Sequence, residues 1–403
     1  MMKNQFKHIF VFALIILISS GAAAQEIKTI DGVKTVINKG GGKWGGNPEV
    51  SIEFVRNYGN LFGEDENLMF YLPSDLVRDR DGNVYILDAG NFLVKKFSPL
   101  GEYLFSFGGE GQGPGELSHP ASMNIDSEGN IIISDQGKNL YEVFSTEGRN
   151  LRSYKHDDIR TRGFRYNSKG EMVMPAGGMG GGIIIMRGPG EDEEDKAEPL
   201  FRVYNNDGEF LREIGEQIDI GDRISNMMVN NMYFCIDGKD NIYLTYRSLN
   251  RIQKYSPDGK LEFRIERPLN YSVKEPVKAK VERSGGNVSI NMPEMTFVSN
   301  AIAVDSKGRI WVCTANRQMK DEEKISKMIS VSSDVSTPTI KVEGNTDITK
   351  TDMFELEIFS PEGVLQGKFE LDHFVDGIKI YGDSLYLLDE NRGMQYYEYR
   401  IIG

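Results

Sequence analysis

Asp79-Arg80-Asp81-Gly82-Asn83-Val84-Tyr85-Ile86 opens a pattern that closes nineteen residues after Gly82, at the end of Phe97-Ser98-Pro99-Leu100-Gly101. The first segment is a tight turn leading into a strand of β-branched and aromatic residues. In the second, Pro99 pre-sets φ and Gly101 supplies a positive one. The pair recurs as Asp126-Ser127-Glu128-Gly129-Asn130 with Phe144-Ser145-Thr146-Glu147-Gly148, and as Asp237-Gly238-Lys239-Asp240-Asn241 with Tyr255-Ser256-Pro257-Asp258-Gly259. Two copies are stretched, Gly170 to Gly208 and Gly308 to Gly363, and a sixth, Tyr381-Gly382-Asp383-Ser384-Leu385-Tyr386, has the opening turn alone. Six opening turns, each heading about four short strands, predict an all-β chain folded as a six-bladed β-propeller. The last blade then lacks its fourth strand. Val50–Val55 is expected to supply it, pairing with Gln395–Ile401 and leaving no long unpaired edge between the first and last blades.

The Asp-x-x-Gly-Asn strand opening, Asp88-Ala89-Gly90-Asn91 after the second strand, and Asn250-Arg251-Ile252 before the third resemble NHL repeats. With its loose repeats and long insertions, the chain is similar to the exported six-bladed propellers of Bacteroidetes-type bacteria, over roughly residues 50–402. The resemblance implies the fold. It implies no single function, because propellers host binding, scaffolding and unrelated chemistries.

The first residues set the expected compartment. Lys3 and Lys7 precede an apolar run from Ile9 to Ile18, and Ala22-Ala23-Ala24 before Gln25 is a cleavage pattern, so residues 1–24 read as a signal peptide. That run is too short to span a bilayer, which takes about 20 residues. The expectation is an exported protein, periplasmic or extracellular, with no transmembrane anchor, an N-terminal extension over 25–49 and the propeller over 50–403. The formal net charge of −13 becomes more negative once Lys3 and Lys7 are removed, which argues against a nucleic-acid partner. Cys235 and Cys313 fall in strands at different depths of neighbouring blades and read as buried free thiols.

In an antiparallel blade, the turns between strands a and b and between c and d lie at one end, and the b–c and d–a connections at the other. The tight turns belong to the first set. The long segments, at about 177–199, 269–296 and 317–352, all belong to the second. That end, the loop face, is the expected recognition surface, since long connections in a compact fold often carry function. Within the insertions, Glu191–Asp195 reads as a solvated acidic tip, and Ser330–Thr339 as an extra β-hairpin or a mobile flap. The glycines from Gly109 to Gly115 read as a blade connector, because no helix or Gly-Lys-Ser/Thr follows them.

The reading that results is a noncatalytic recognition module without a cofactor. It would contact an unknown protein, peptide or glycan through Arg162, Tyr246, Arg247, Asn316, Arg317, Asp389 and Arg392, since Tyr and Arg combine contact area with directed hydrogen bonds. The alternative is a metal-dependent hydrolase or lyase at the central channel. One version places Zn²⁺ on His119, His156 and His373, a faint resemblance to amidating lyases. The other resembles gluconolactonases and places Ca²⁺ on oxygen ligands drawn from Asn300, Asp376 and Asp389. Asp88, Asp135 and Asp389 occupy equivalent repeat positions, as a structural turn requirement also predicts. No Gly-x-Ser-x-Gly nucleophile motif is present.

Overall fold

The computed structural model describes residues 25–59, 65–156, 163–176, 198–205, 208–284, 287–330 and 339–403. The expected signal peptide, Arg162 and the acidic tip lie outside the described residues. Six four-stranded antiparallel units make the ring. The first consists of Pro73–Arg78, Val84–Asp88, Leu93–Phe97 and Tyr103–Gly108. The opening turn holds because Asp79 accepts hydrogen bonds from the Asn83 amide and side chain, both at 2.8 Å, and from the Tyr85 hydroxyl at 3.1 Å. Asp237 repeats this with Asn241 and Tyr243, and Asp305 with Arg309 and the Trp311 indole. One carboxylate thus closes the hairpin and anchors the strand that follows.

The hydrophobic core is divided into six wedges, one at each junction between neighbouring blades. Val77, Leu87, Met123 and Ile133 fill the first junction, for example, and Trp311, Leu356, Ile378 and Leu387 the fifth. The c–d turn glycines reach across these junctions: Gly148 has φ +75°, and a Cβ there would stand 2.7 Å from Phe107 in the preceding blade. Packing and backbone conformation both require glycine at this point of the repeat.

Ring closure follows the sequence expectation. Ser51–Tyr58 pairs antiparallel with Gln395–Ile402 and completes the sixth blade, whose inner strands are Gly377–Tyr381 and Ser384–Asp389. The extension before it is also ordered. Gln25–Ile30 and Val33–Asn38 form a hairpin whose second strand runs parallel to Leu261–Glu266, the outer strand of blade 4, making that sheet six-stranded. Asn38 is buried and pins two blades. Its amide group donates to the carbonyls of Glu266 and Gly363, and its oxygen accepts from the Leu365 amide at 2.8 Å. Trp44 then lies against Gly367 and Phe369 of blade 5. The chain therefore straps blades 4 and 5 before it closes blade 6.

The insertion within blade 5 contains a second hairpin, Ile325–Ser330 with Thr339–Gly344, and the connection from blade 4 to blade 5 a third, Lys280–Ser284 with Asn287–Asn291. A seven-residue helix, Arg223–Val229, capped by Asp222, precedes blade 4. Both cysteines are free, and burial pushes the Cys235 thiol up to about 12. Among the described residues, no helix is long and apolar enough to cross a membrane.

Candidate functional site

At the loop face, carboxylates at the ends of second strands organise the connections. Asp135 is fully buried and accepts from the amides of Ser118, His119, Gly137 and Lys138, at 2.7 to 3.2 Å. Asp88 accepts from the Tyr71 amide and the Asn91 side chain, both at 2.8 Å. These two are structural ties between the incoming connection and the b–c turn. Burial raises the Asp88 carboxyl to about 6, against the pull of those hydrogen bonds.

Asp389, at the equivalent place in blade 6, is bound more loosely. Oδ1 accepts from the Arg392 amide at 3.1 Å, while Oδ2 is buried without a hydrogen-bond partner. Burial, and then the neighbouring charge of Asp376, push its carboxyl up to about 6. Asp376 accepts from the Glu390 amide and the Asn391 side chain. Asn300, on the first strand of blade 5, donates to the Val375 carbonyl, and its own Oδ1 is buried without a partner. Asn300 thus reaches the residue before Asp376, and Asp376 lies within electrostatic reach of Asp389.

A second chain of contacts runs outward from them. Arg392 lies with its guanidinium 3.5 Å from the centre of the Phe374 ring and donates to the Glu323 carbonyl. Arg317 grips both oxygens of the Glu323 side chain at 2.7 Å and also binds Asp352 and Thr351. The Arg317 hydrogen bonds hold the Glu323 carboxyl down at about 2, against its burial. Asn316 accepts from the Asn270 side chain at 3.0 Å. Asn316, Arg317, Asp389 and Arg392 thus gather around blades 5 and 6.

The other expected contact residues stand apart. Tyr246 is a core side chain whose hydroxyl donates to Gln253 at 2.9 Å, and Arg247 stacks on Phe297 at 4.4 Å beside blade 4. The three histidines have separate surroundings. His119 flanks blade 2, His156 packs edge-on to Tyr204 and Tyr141, and His373 stacks on Tyr397 with ring centres 4.0 Å apart. His156 and His373 therefore sit against third-strand aromatics rather than at the inner strands. Among the described residues, no three His, Cys, Asp or Glu side chains are grouped to hold a metal ion.

Beside Arg392 opens a cleft of about 400 Å³, lined by Phe54, Lys350, Asp372, His373, Tyr397 and Tyr399, with Gln395 at its edge. Phe54 presents an exposed face, 59 % accessible, set edge-on to Tyr399. His373 donates or accepts at the Tyr399 hydroxyl, 3.2 Å away, and burial lowers its basicity. The closing strand, the blade 5 insertion and the turn after Asp389 all contribute walls. The sequence names Arg392 as a contact residue and His373 as a metal ligand of the alternative reading, and it does not single out Phe54, Tyr397 or Tyr399. Their alternation along two adjacent strands was the available signal.

A family model described as a 6-bladed beta-propeller, DUF5128, matches residues 50–169. Among solved structures, the chain resembles a member of the DUF4221 family from Bacteroides vulgatus, with 10% identity, a TM-score of 0.53 and coverage of 88% of this chain and 99% of that one. A Bacteroides fragilis protein, by its name assigned to export, aligns with 9% identity, a TM-score of 0.50 and coverage of 88% and 95%. Virginiamycin B lyase from Staphylococcus aureus aligns at 10% identity and a TM-score of 0.42, over 88% of this chain and all of that one. The search of curated proteins finds no match. At such identities the two Bacteroides likenesses, with the family model, support the six-bladed propeller fold and nothing finer.

Proposed function

We propose that this chain is an exported, NHL-type propeller that acts as a noncatalytic recognition module, and that its ligand seat is the loop-face cleft between blades 5 and 6. The observation that carries the reading is the cleft itself: an exposed aromatic face beside tyrosine rings and the polar ends of Lys350, Asp372 and Gln395. Stackable rings beside a few directed polar groups suit a short stretch of peptide or glycan. The Asn91-to-Asp88 hydrogen bond supports the NHL comparison, and the similarity to a Bacteroides fragilis protein named for export supports the compartment.

Screening the purified mature chain against peptide and oligosaccharide arrays tests this. Phe54→Ala and Lys350→Ala should weaken a positive signal roughly tenfold while leaving the melting temperature near that of the parent. Arg80→Ala and Lys307→Ala, on the tight turns at the opposite end, should leave binding unchanged. Equal losses from all four would place recognition elsewhere. Arg317→Ala is a poor probe despite its position, because it strips buried Glu323 of its cation and should cost stability directly.

A metal-dependent hydrolase is the second reading, favoured by one observation: Asn300 Oδ1 and Asp389 Oδ2 are buried without partners near Asp376. Oxygen donors of this kind suit Ca²⁺. Against it, Arg392 lies within electrostatic reach of both carboxylates and already offsets their charge. Elemental analysis decides between them: stoichiometric ion lost on Asn300→Ala or Asp389→Ala would support the hydrolase, and its absence the binding module.

A further inference from the structure

The first strands of the ring bring a second set of charges together at the middle of the channel, away from the cleft. Asp75 lies on the first strand of blade 1, Lys379 on that of blade 6, and Arg165 on that of blade 3. Asp75 is buried and fully served. Lys379 Nζ stands 2.7 Å from its Oδ1, and the amides of Leu76 and Met123 donate to its two oxygens at 2.9 and 3.0 Å. Lys379 therefore offsets the Asp75 charge directly.

Arg165 is left over. It lies within electrostatic reach of both Asp75 and Lys379. Its guanidinium donates to the Phe164 carbonyl at 2.8 Å and lies 5.5 Å from the centre of the Phe234 ring. Among the described residues, no carboxylate forms an ion pair with it. A guanidinium has five N–H donors in a planar fork, so most of its hydrogen-bonding capacity is unspent. Cys235 shares this field but, raised by burial, supplies no thiolate. Glu390 and Asp237 act in the same field without forming an ion pair with Arg165, so the guanidinium has no direct carboxylate partner among the described residues.

A half-buried cation without a direct carboxylate partner carries a desolvation cost that a bound anion relieves. The Lys379 side chain keeps 17 % of its exposure, so solvent-borne groups can reach the pair. Blades 3 and 6 face each other across a six-fold ring, which sets Arg165 and Lys379 on opposite sides of whatever occupies the middle. We infer that the central channel is an oxyanion site in which Arg165 and Lys379 clamp the carboxylate or phosphate group of a small ligand, with Asp75 fixing the position of Lys379. The site is independent of the blade 5–6 cleft, and neither requires the other.

Thermal melts of the full mature chain in sodium phosphate, sodium acetate and sodium chloride at matched ionic strength test the proposal. A bound anion should raise the melting temperature saturably with phosphate, acetate or both, above the chloride series, by ligand linkage. A response to phosphate alone assigns a phosphate group, and one shared with acetate a carboxylate. Arg165→Gln should keep the fold, because Arg165 holds no carboxylate, and should weaken the response roughly tenfold or more. Lys379→Met would leave Asp75 buried and unpaired, so the pair Asp75→Asn with Lys379→Met serves as the second probe and should also lose the response. A parent protein that melts alike in all three salts overturns the proposal. So does an anion response that survives Arg165→Gln.

Discussion

A methyl group on Gly148 would meet Phe107 at 2.7 Å, and the backbone there, at φ +75°, already disfavours any L side chain. Gly148→Ala should therefore cost about 1–3 kcal/mol, read as a lower midpoint in denaturant titration with an unchanged slope. Asp389 makes a prediction in pH rather than in volume. Its folded carboxyl sits at about 6 against an ordinary 3.8, so between those values the folded state binds more protons than the unfolded one. Its contribution to stability consequently falls as pH rises through that window. Asp389→Asn abolishes that loss, so melting temperatures of variant and parent should diverge in the variant's favour between about pH 4 and pH 7. A constant difference across that range would show that Asp389 ionises freely in the fold.

At the scale of strands and hairpins, what could be read depended on repetition. The turn carboxylates at Asp79, Asp126 and Asp237 announce themselves because one hydrogen-bonding task recurs at one spacing. The closing strand was legible as a missing part. The strap over blade 4 repeats nothing, yet it carried a local signal: Asp31-Gly32 between β-branched runs, with φ of 50° and 75°, is a two-residue hairpin turn. Its docking partner could not be read, because a parallel pairing with residues more than 220 positions away leaves no trace in local pattern. The Asp75–Lys379–Arg165 group was hidden for the same reason, since its members come from blades 1, 6 and 3, and Phe54 meets Tyr399 only through the pairing of the chain's two distant ends in blade 6. Removing residues 25–49 should remove the Asn38 pin and the Trp44 contact while leaving the ring closed. The expected cost is about 2–4 kcal/mol, with a single cooperative transition in calorimetry.

For the whole molecule, the decisive element is Ser51–Tyr58. Extending that truncation to residue 57 opens the sixth blade, exposing Gln395–Ile402 as an unpaired edge and part of the wedge between blades 6 and 1. The longer truncation should lose far more stability than the shorter one and should self-associate in sedimentation or light scattering, as open sheet edges do. A long truncate that melts cooperatively at the parent temperature would refute closure as the source of stability. The strap and the closing strand also impose an order in time. Synthesis runs from the N-terminus, so residues 25–58 emerge first, while their partners at 261–266 and 395–402 emerge late or last. Through most of its synthesis the chain therefore carries a stretch of orphan strand with nothing to pair against. Folding has to finish at the seam where it began, which favours slow, single-step completion and leaves the closing strand's edge exposed until the last blade is made.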